Sequence, residues 1–322
     1  MTANIIFTVM YAMTMLVSLV GNTLLIYIVW KKPDVRSLTS FMFVNMAVAD
    51  LLVTLVVIPY TISHLYLDGV WLLTGVIGEI TCKMVIFIAF FTISASILCL
   101  TFMAVDRFYA VVYPFQRLLW FRKPKVLIPL VWILSMALMS IVPVFMVLTH
   151  NNSEYNCKAA FYVLGDESIA ITGVYIYFFI INYLFPVSII AILYTITARK
   201  LWYHEAPGDD LGQLHQQQEI TKRRVVRMLI IVFTVFALCW LPGQVFQLYL
   251  AVGWVDLPDV ESACFWFGYN NSAINPWLYI CLNGKMHKEF SRMATMKSKS
   301  ENRSLKTGDK ETLPKATRET LL

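Results

Sequence analysis

Charged residues are scarce in this chain, and their scarcity excludes an ordinary soluble domain. Of the 322 residues, 14% are Asp, Glu, Lys or Arg and 58% are hydrophobic. In soluble globular domains about a quarter of the residues are charged. The mean hydropathy of this chain is +0.65. The composition therefore predicts a membrane protein.

Catalytic and metal-binding patterns are also missing. The loops between the apolar runs contain no nucleophile paired with a base and no His or Cys residues at metal-ligand spacing, although such chemistry requires them. A channel or transporter would need ionisable groups along a continuous path through the membrane, and the sequence predicts no such path. We therefore expect neither an enzyme nor a bound organic cofactor.

Apolar runs of membrane length make up most of the chain. A helix needs about 20 apolar residues to cross the hydrocarbon of a bilayer. The runs lie at about 5–30, 38–67, 80–111, 125–149, 169–200, 222–252 and 260–283. They predict an all-α membrane protein, a seven-transmembrane helix bundle, within residues 1–283.

The charges of the loops predict the orientation. Lys and Arg concentrate after the first, third and fifth runs, whereas Asp and Glu dominate the alternate loops. By the positive-inside rule the N-terminus lies outside, and we expect a multi-pass protein of the plasma membrane. Residues 284–293 place Met286, Phe290 and Met293 on one face, which predicts a short amphipathic helix on the inner leaflet. Residues 294–322 are polar and predict a disordered cytoplasmic tail.

Two features of the outer loops suggest an oxidising compartment. Cys82 lies at the outer end of the third run and Cys157 in the loop after the fourth, so a disulfide between them is reasonable. Asn151-Asn152-Ser153, in the same loop, is a glycosylation acceptor. From Glu154 to Lys158, followed by the alternating residues 161–163, we expect a hairpin over the entrance to the bundle.

Every run also carries a polar or helix-bending residue that membrane insertion alone would disfavour. These residues are Asn22, Asp50, Asp106-Arg107-Phe108, Trp132, Pro186 with Tyr194, Phe236 with Cys239-Trp240-Leu241-Pro242, and Asn275-Pro276-Trp277-Leu278-Tyr279. Together with Cys82 and Cys157, this ordered set resembles the rhodopsin-like (class A) G-protein-coupled receptors, over about residues 21–290. The resemblance implies a receptor that activates a heterotrimeric G protein, with arrestin and receptor kinases as further partners.

The resemblance also implies an activation switch. Asp106 holds Arg107 at rest, and the released arginine meets Tyr194 and Tyr279 in a crevice for the G protein's C-terminal helix. The remaining members of the switch allow the inner half of the sixth helix to swing, and they are Phe236, Trp240, Pro242, Asn275 and Pro276. Many relatives carry an acid at the base of the sixth helix that locks the arginine, whereas 221–224 has none. We therefore expect a weaker lock and some basal activity.

In the family, a sodium ion that favours the inactive state lies beside the position of Asp50. A bare carboxylate in the middle of the membrane must be hydrated, paired or protonated. The predicted oxygen cage consists of Asp50, Ser96, Asn271, Ser272 and Asn275. A purely hydrogen-bonded cluster with water is the alternative.

Two ligand classes are excluded by what the outer halves of the helices lack. Amine receptors carry an aspartate in the third helix, where this chain has Ala89, and 87–94 contains no acid. Opsins carry a lysine in the seventh helix for retinal, and 264–271 contains none.

The predicted outer cavity has a mixed aromatic and amide lining that suits a short peptide with an amidated end and an Arg or aromatic side chain. The predicted ligand-binding residues are Tyr60, His64, Ala89, Phe90, Phe178, Asn182, Gln244, Gln247, Glu261, Phe265 and Tyr269. The chain resembles receptors of the tachykinin, neuropeptide FF, orexin and neuropeptide Y kind. Two alternatives to a peptide receptor remain, because the segment before the first run is short. One is a receptor for a lipid or small organic ligand, and the other is a constitutively active receptor without a ligand.

Overall fold

The computed structural model describes residues 2–67, 69–113, 123–151, 154–203, 213–253 and 257–295. Within these ranges, long helices form the bundle. They are α1 (Thr2–Lys31), α2 (Leu38–Leu67), α3 (Gly75–Val112), α4 (Pro124–Phe145), α5 (Glu167–Tyr203), α6 (Gln213–Ala251) and α7 (Pro258–Leu282). The helices α1 to α6 are long and apolar enough to cross a membrane, and α7 adds a more polar helix. The predicted helix bundle is confirmed.

The structure begins α6 at Gln213, before the predicted residue 222, and ends α4 earlier than predicted. The predicted run extends to residue 149, but Met146 has an extended backbone (φ −80°, ψ 126°) and begins a strand. Hydropathy does not separate an apolar strand from the end of an apolar helix, because both are buried runs of the same residue types. At the other end of the bundle, residues 284–295 form the helix α8. The predicted tail lies outside the described residues from 296 onward.

In two of the helices, a π-helical turn precedes a proline. A proline lacks the N–H for one helical hydrogen bond, and its ring crowds the preceding turn. In α2 a wide π-helical turn at Val53–Val57 precedes Pro59, and in α5 a similar turn at Ile180–Leu184 precedes Pro186. Such turns absorb the extra space and rotate the side chains that follow. Across each turn, the two halves of α2 and of α5 therefore present their side chains at a relative rotation that a regular α-helix would not give.

Close contacts join α7 to α1 and α6. A Cβ atom at Gly21 of α1 would lie 2.7 Å from the ring of Pro276 and 2.8 Å from Nε1 of Trp277. Only glycine allows this approach, because real Cβ contacts are longer. At Gly268 of α7 a Cβ atom would meet the ring of Trp240 at 2.7 Å. The two glycines therefore set how closely α7 packs on its neighbours.

A hairpin and a disulfide cover the outer side. Strand β1 (Met146–Asn151) pairs in antiparallel register with β2 (Glu154–Ala159). The disulfide between Cys82 and Cys157 ties β2 to α3 and confirms the predicted pair. The sequence analysis expected residues 161–163 to form the second half of the hairpin, but Phe161–Leu164 forms a 3₁₀ turn. The strand that pairs with β2 is β1, which precedes β2 in the chain.

The inner helix α8 is fixed to the bundle by an ion pair. Lys32 Nζ lies 2.9 Å from Glu289 Oε2, and Arg292 Nη1 lies 2.7 Å from the other oxygen. The hydrogen bond from Lys32, supported by the charges of Lys32 and Arg292, holds the pKa of Glu289 below its usual value. Met286, three residues before Glu289, is fully buried. The helix thus has the apolar and basic faces that the sequence predicts for 284–293.

Candidate functional site

An outer cavity of about 230 Å³ lies between α1, α2, α3, α5, α6 and α7. Its lining residues come from the outer halves of these helices. They are Tyr11, Val57, Tyr60, Thr61, His64, Leu65, Ile86, Ala89, Phe90, Ile93, Tyr175, Phe246, Gln247, Leu250, Glu261, Ser262, Phe265 and Tyr269. The lining is largely apolar and aromatic with a few polar groups, as is usual in ligand sites.

Most of the predicted ligand-binding residues line this cavity. They are Tyr60, His64, Ala89, Phe90, Gln247, Glu261, Phe265 and Tyr269. The structure places the other three outside the lining. Phe178 stacks on Phe90 with ring centroids 4.4 Å apart, Asn182 donates to the sulfur of Met139 at 3.6 Å, and Gln244 is buried on α6.

The sequence-based set missed the contribution of α1. Tyr11 is fully buried, and its hydroxyl donates to the backbone carbonyl of Ser262 at 2.8 Å. Its ring lies 6.2 Å from that of Tyr269, with an interplanar angle of 51°. A tyrosine that bonds the first turns of α7 fixes one wall of the cavity. The signal available in the sequence was a polar aromatic residue within an otherwise apolar run.

Trp240 connects the cavity to the middle of the bundle. Its ring meets that of Tyr269, a cavity residue, edge to face at 6.0 Å. On its inner side lies Phe236, with ring centroids 6.4 Å apart. Gly268 lies directly against the same indole, and Pro242 lies two residues after Trp240 within α6. A ligand that moves Tyr269 therefore reaches Trp240 through one aromatic contact.

A polar cluster surrounds Asp50 in the middle of the bundle. Asp50 is buried, with Oδ1 accepting from Ser272 Oγ at 2.7 Å and Oδ2 from Asn275 Nδ2 at 3.5 Å. The side-chain oxygens of Asn271 and Asn275 are buried and have no hydrogen-bond partner among the described residues. Ser96 is also buried. A carboxylate with additional amide and hydroxyl oxygens is a donor set that suits a small hard cation.

The inner end of α3 is held in a closed arrangement. Arg107 Nη2 lies 2.8 Å from Asp106 Oδ2 and donates to Thr39 Oγ1 at 2.9 Å. Tyr279 donates to Ser40 Oγ at 2.8 Å, so its hydroxyl points to α2. The hydroxyl of Tyr194 is buried without a hydrogen-bond partner among the described residues. The three switch residues Arg107, Tyr194 and Tyr279 are thus present, but these hydrogen bonds join the arginine to neither tyrosine.

The glycosylation acceptor is described only in part. Asn151 ends β1, where it pairs with Glu154. Asn152 and Ser153 lie outside the described residues.

Comparison with known proteins agrees with this geometry. The family model described as 7 transmembrane receptor (rhodopsin family) matches residues 21–279. The neuromedin-K receptor of Oryctolagus cuniculus is 30% identical over 289 residues, which cover 88% of this chain and 60% of that receptor. The allatostatin-A receptor of Bombyx mori is 29% identical, covering 86% and 76% of the two chains. The QRFP-like peptide receptor of Branchiostoma floridae is 27% identical, covering 90% and 78%.

Proposed function

The chain belongs to the rhodopsin family of seven-transmembrane receptors, and on that premise we propose that it is a G-protein-coupled receptor for a short peptide. Membership of this family confirms a multi-pass membrane receptor rather than an enzyme. Relatives bear names that specify receptors for neuromedin-K, allatostatin-A and a QRFP-like peptide. The cavity supports the same ligand class, because its aromatic and amide lining suits the end of an amidated peptide with a basic or aromatic side chain.

The observation that carries the proposal is the contact path from the cavity to α6. Tyr269 lines the cavity and meets Trp240, which in turn lies beside Phe236 and two residues before Pro242. A proline leaves a helix with a missing hydrogen bond, so one half can move relative to the other. Agonist binding at the outer end therefore favours an outward swing of the inner half of α6.

At the inner end, the swing opens the crevice beside Arg107. Release from Asp106 lets the arginine meet the hydroxyls of Tyr194 and Tyr279, and Tyr194 has no competing hydrogen bond among the described residues. The opened crevice receives the C-terminal helix of a heterotrimeric G protein. By thermodynamic linkage, the bound G protein tightens agonist binding by the same factor as the agonist tightens G-protein binding.

The polar cluster would hold sodium through Asp50, Ser96, Asn271, Ser272 and Asn275. A cation there neutralises the buried carboxylate and favours the closed arrangement. The receptor lies in the plasma membrane with its N-terminus outside, since the inner loops are basic and the outer loops acidic. Arrestin and receptor kinases act on its inner face, membrane lipids contact α8, and Asn151 carries a glycan.

The experiment that tests the proposal is nucleotide exchange on a G protein in membranes that carry the full chain, across a library of amidated peptides. We expect potent activation by basic or aromatic members and none with the variant Arg107→Ala. If no peptide of the library raises nucleotide exchange, and exchange is above background without any peptide, the assignment of a peptide ligand is contradicted. That outcome favours a lipid ligand or constitutive activity.

A further inference from the structure

The outer cavity has an asymmetric charge. Among its described lining residues, Glu261 is the one carboxylate, and none is Lys or Arg. Asp259, two residues earlier in the same first turn of α7, is exposed and does not line the cavity. The cavity thus places a negative charge where a ligand binds.

Aromatic residues line the same cavity as this carboxylate. Among them are Tyr11, Tyr60 and Tyr269. Phe265 stacks beside Tyr269 with ring centroids 6.2 Å apart and an interplanar angle of 20°. The faces of aromatic rings attract cations, and the attraction grows where water is excluded. A carboxylate in one cavity with such rings is an arrangement for a positive group.

An unused hydrogen-bond acceptor lies in the same cavity. Gln247 has a relative exposure of 5%, and its Oε1 atom has no hydrogen-bond partner among the described residues. Gln244, three residues inward on α6, is also buried, and its Oε1 atom likewise has no hydrogen-bond partner among the described residues. A buried acceptor without a donor destabilises the folded protein, because it has lost its hydrogen bonds to water. A ligand that brings N–H donors removes this destabilisation.

Resting on the proposed function, we propose that Glu261 and Gln247 together bind a guanidinium group, so that the ligand class of this receptor is a peptide with an arginine at or near its amidated end. A guanidinium is planar, carries five N–H donors and stacks on aromatic faces, whereas an ammonium group is a compact and strongly hydrated charge. The guanidinium is the group that fits a cavity with a carboxylate, an amide oxygen and aromatic walls.

The same arrangement connects binding to activation. Trp240, Gln244 and Gln247 follow one another at spacings of four and three residues, so they lie on one face of α6. A guanidinium bound at Gln247 therefore acts on the helix that carries Trp240. A guanidinium bound between Glu261 of α7 and Gln247 of α6 contacts both helices at their outer ends.

The first test compares peptides that differ only in charge. Amidated tetrapeptides with one arginine beside an aromatic residue are paired with twins in which citrulline, a neutral urea of similar shape, replaces arginine. Nucleotide exchange is measured for the wild-type chain, for Glu261→Gln and for the matched control Asp259→Asn. We expect arginine peptides to be about 10- to 100-fold more potent than their twins on the wild type and on the control. On Glu261→Gln the ratio should fall to within about threefold.

A second measurement does not depend on signalling. Arginine amide and citrulline amide at millimolar concentration are compared for their effect on the thermal unfolding of the purified full chain. A ligand that binds the folded state raises the unfolding temperature, so arginine amide should stabilise the wild type and the control more than Glu261→Gln.

The outcomes separate this inference from the proposed function. Peptides that activate with an unchanged arginine-to-citrulline ratio on Glu261→Gln overturn the inference and leave the peptide receptor standing. Arginine amide that stabilises the wild type selectively, while no peptide activates, supports the guanidinium site at Glu261 and Gln247 but overturns the assignment of a peptide ligand. Equal effects of both amides on all three proteins, without peptide activation, overturn both.

Discussion

The contact between Gly268 and Trp240 singles out one perturbation, the substitution Gly268→Ala. A Cβ atom at position 268 would lie 2.7, 2.8 and 3.0 Å from three carbons of the Trp240 ring. Carbon atoms pack at about 3.5–4.0 Å, so the ring must move by about 1 Å. Overpacking a core of this kind costs about 1–3 kcal/mol. This strain falls on the closed arrangement, in which the ring lies against Gly268.

An outward swing of α6 carries the ring away from α7 and relieves the strain. A bias of about 1–3 kcal/mol changes the ratio of two states about 5- to 150-fold. We therefore expect Gly268→Ala to raise ligand-independent nucleotide exchange on an added G protein by a factor within that range. The assay uses membranes that carry equal amounts of the wild-type and variant chains.

Two further variants decide whether the collision with Trp240 is the cause. At Gly243 of α6 the nearest atom to an added Cβ is the carbonyl oxygen of Cys264 at 3.8 Å, so Gly243→Ala adds a methyl group without a clash and should leave exchange unchanged. In the background Trp240→Phe the smaller ring leaves room for the added methyl group at position 268, so the second substitution should add little. Equal exchange for both alanine variants, or an undiminished effect of Gly268→Ala in the Trp240→Phe background, refutes the reasoning.

The polar contacts give three other predictions. Arg107→Ala should abolish agonist-stimulated nucleotide exchange while agonist binding is retained, because the ion pair with Asp106 lies at the inner end; normal signalling contradicts this role. Asp50→Asn should remove the effect of sodium on agonist affinity in binding measurements, and an unchanged salt effect contradicts the sodium site. The lowered pKa of Glu289 means that its pair with Lys32 stabilises the fold above the ordinary pKa of a glutamate, about 4.3, and that this stability is lost as the pH falls through the lowered value. Glu289→Gln should therefore weaken the loss of thermal stability in acid, measured as unfolding temperature against pH; equal profiles contradict the pair.

The fold was predictable because its strongest signals are the length of the apolar runs and the charges of the loops. The limits of α2, 38–67, agree with the structure. The end of α4 was not predictable, since 146–149 continues the apolar run as a strand. What makes it a strand is its pairing with β2, a contact between distant residues that no local pattern records.

The sequence could predict which residues lie in the outer halves of the helices. Which of them face the cavity depends on helix rotation, and π-helical turns change that rotation in α2 and α5. Asn182, within the turn of α5, and Phe178, two residues before it, were assigned to the cavity, but Phe178 stacks on Phe90 and Asn182 donates to Met139. Tyr11 was missed because its partner, the carbonyl of Ser262, lies 251 positions away in the chain.

The lock on the inner end of α6 bears on the expected basal activity. Arg107 bonds to Asp106 on its own helix and to Thr39 on α2. Lys222, at the base of α6, pairs with Glu219 one turn earlier on the same helix, with Nζ 2.8 Å from Oε1. One of these two ion pairs lies within α3 and the other within α6, so neither of them holds α6 against an outward movement.

Apolar packing is then the main contact that the swing must break. Val226, Leu229 and Val232 recur every three residues on the inner half of α6, and together with Phe236 they are buried in the core. Each Å² of apolar surface that the swing exposes costs about 25 cal/mol. A G protein recovers this free energy only if its helix brings an apolar face to the same row of residues. The strength of coupling therefore depends on the apolar match between that helix and α6, and we expect a basal level of opening because neither the ion pair of Arg107 nor that of Lys222 joins α6 to another helix.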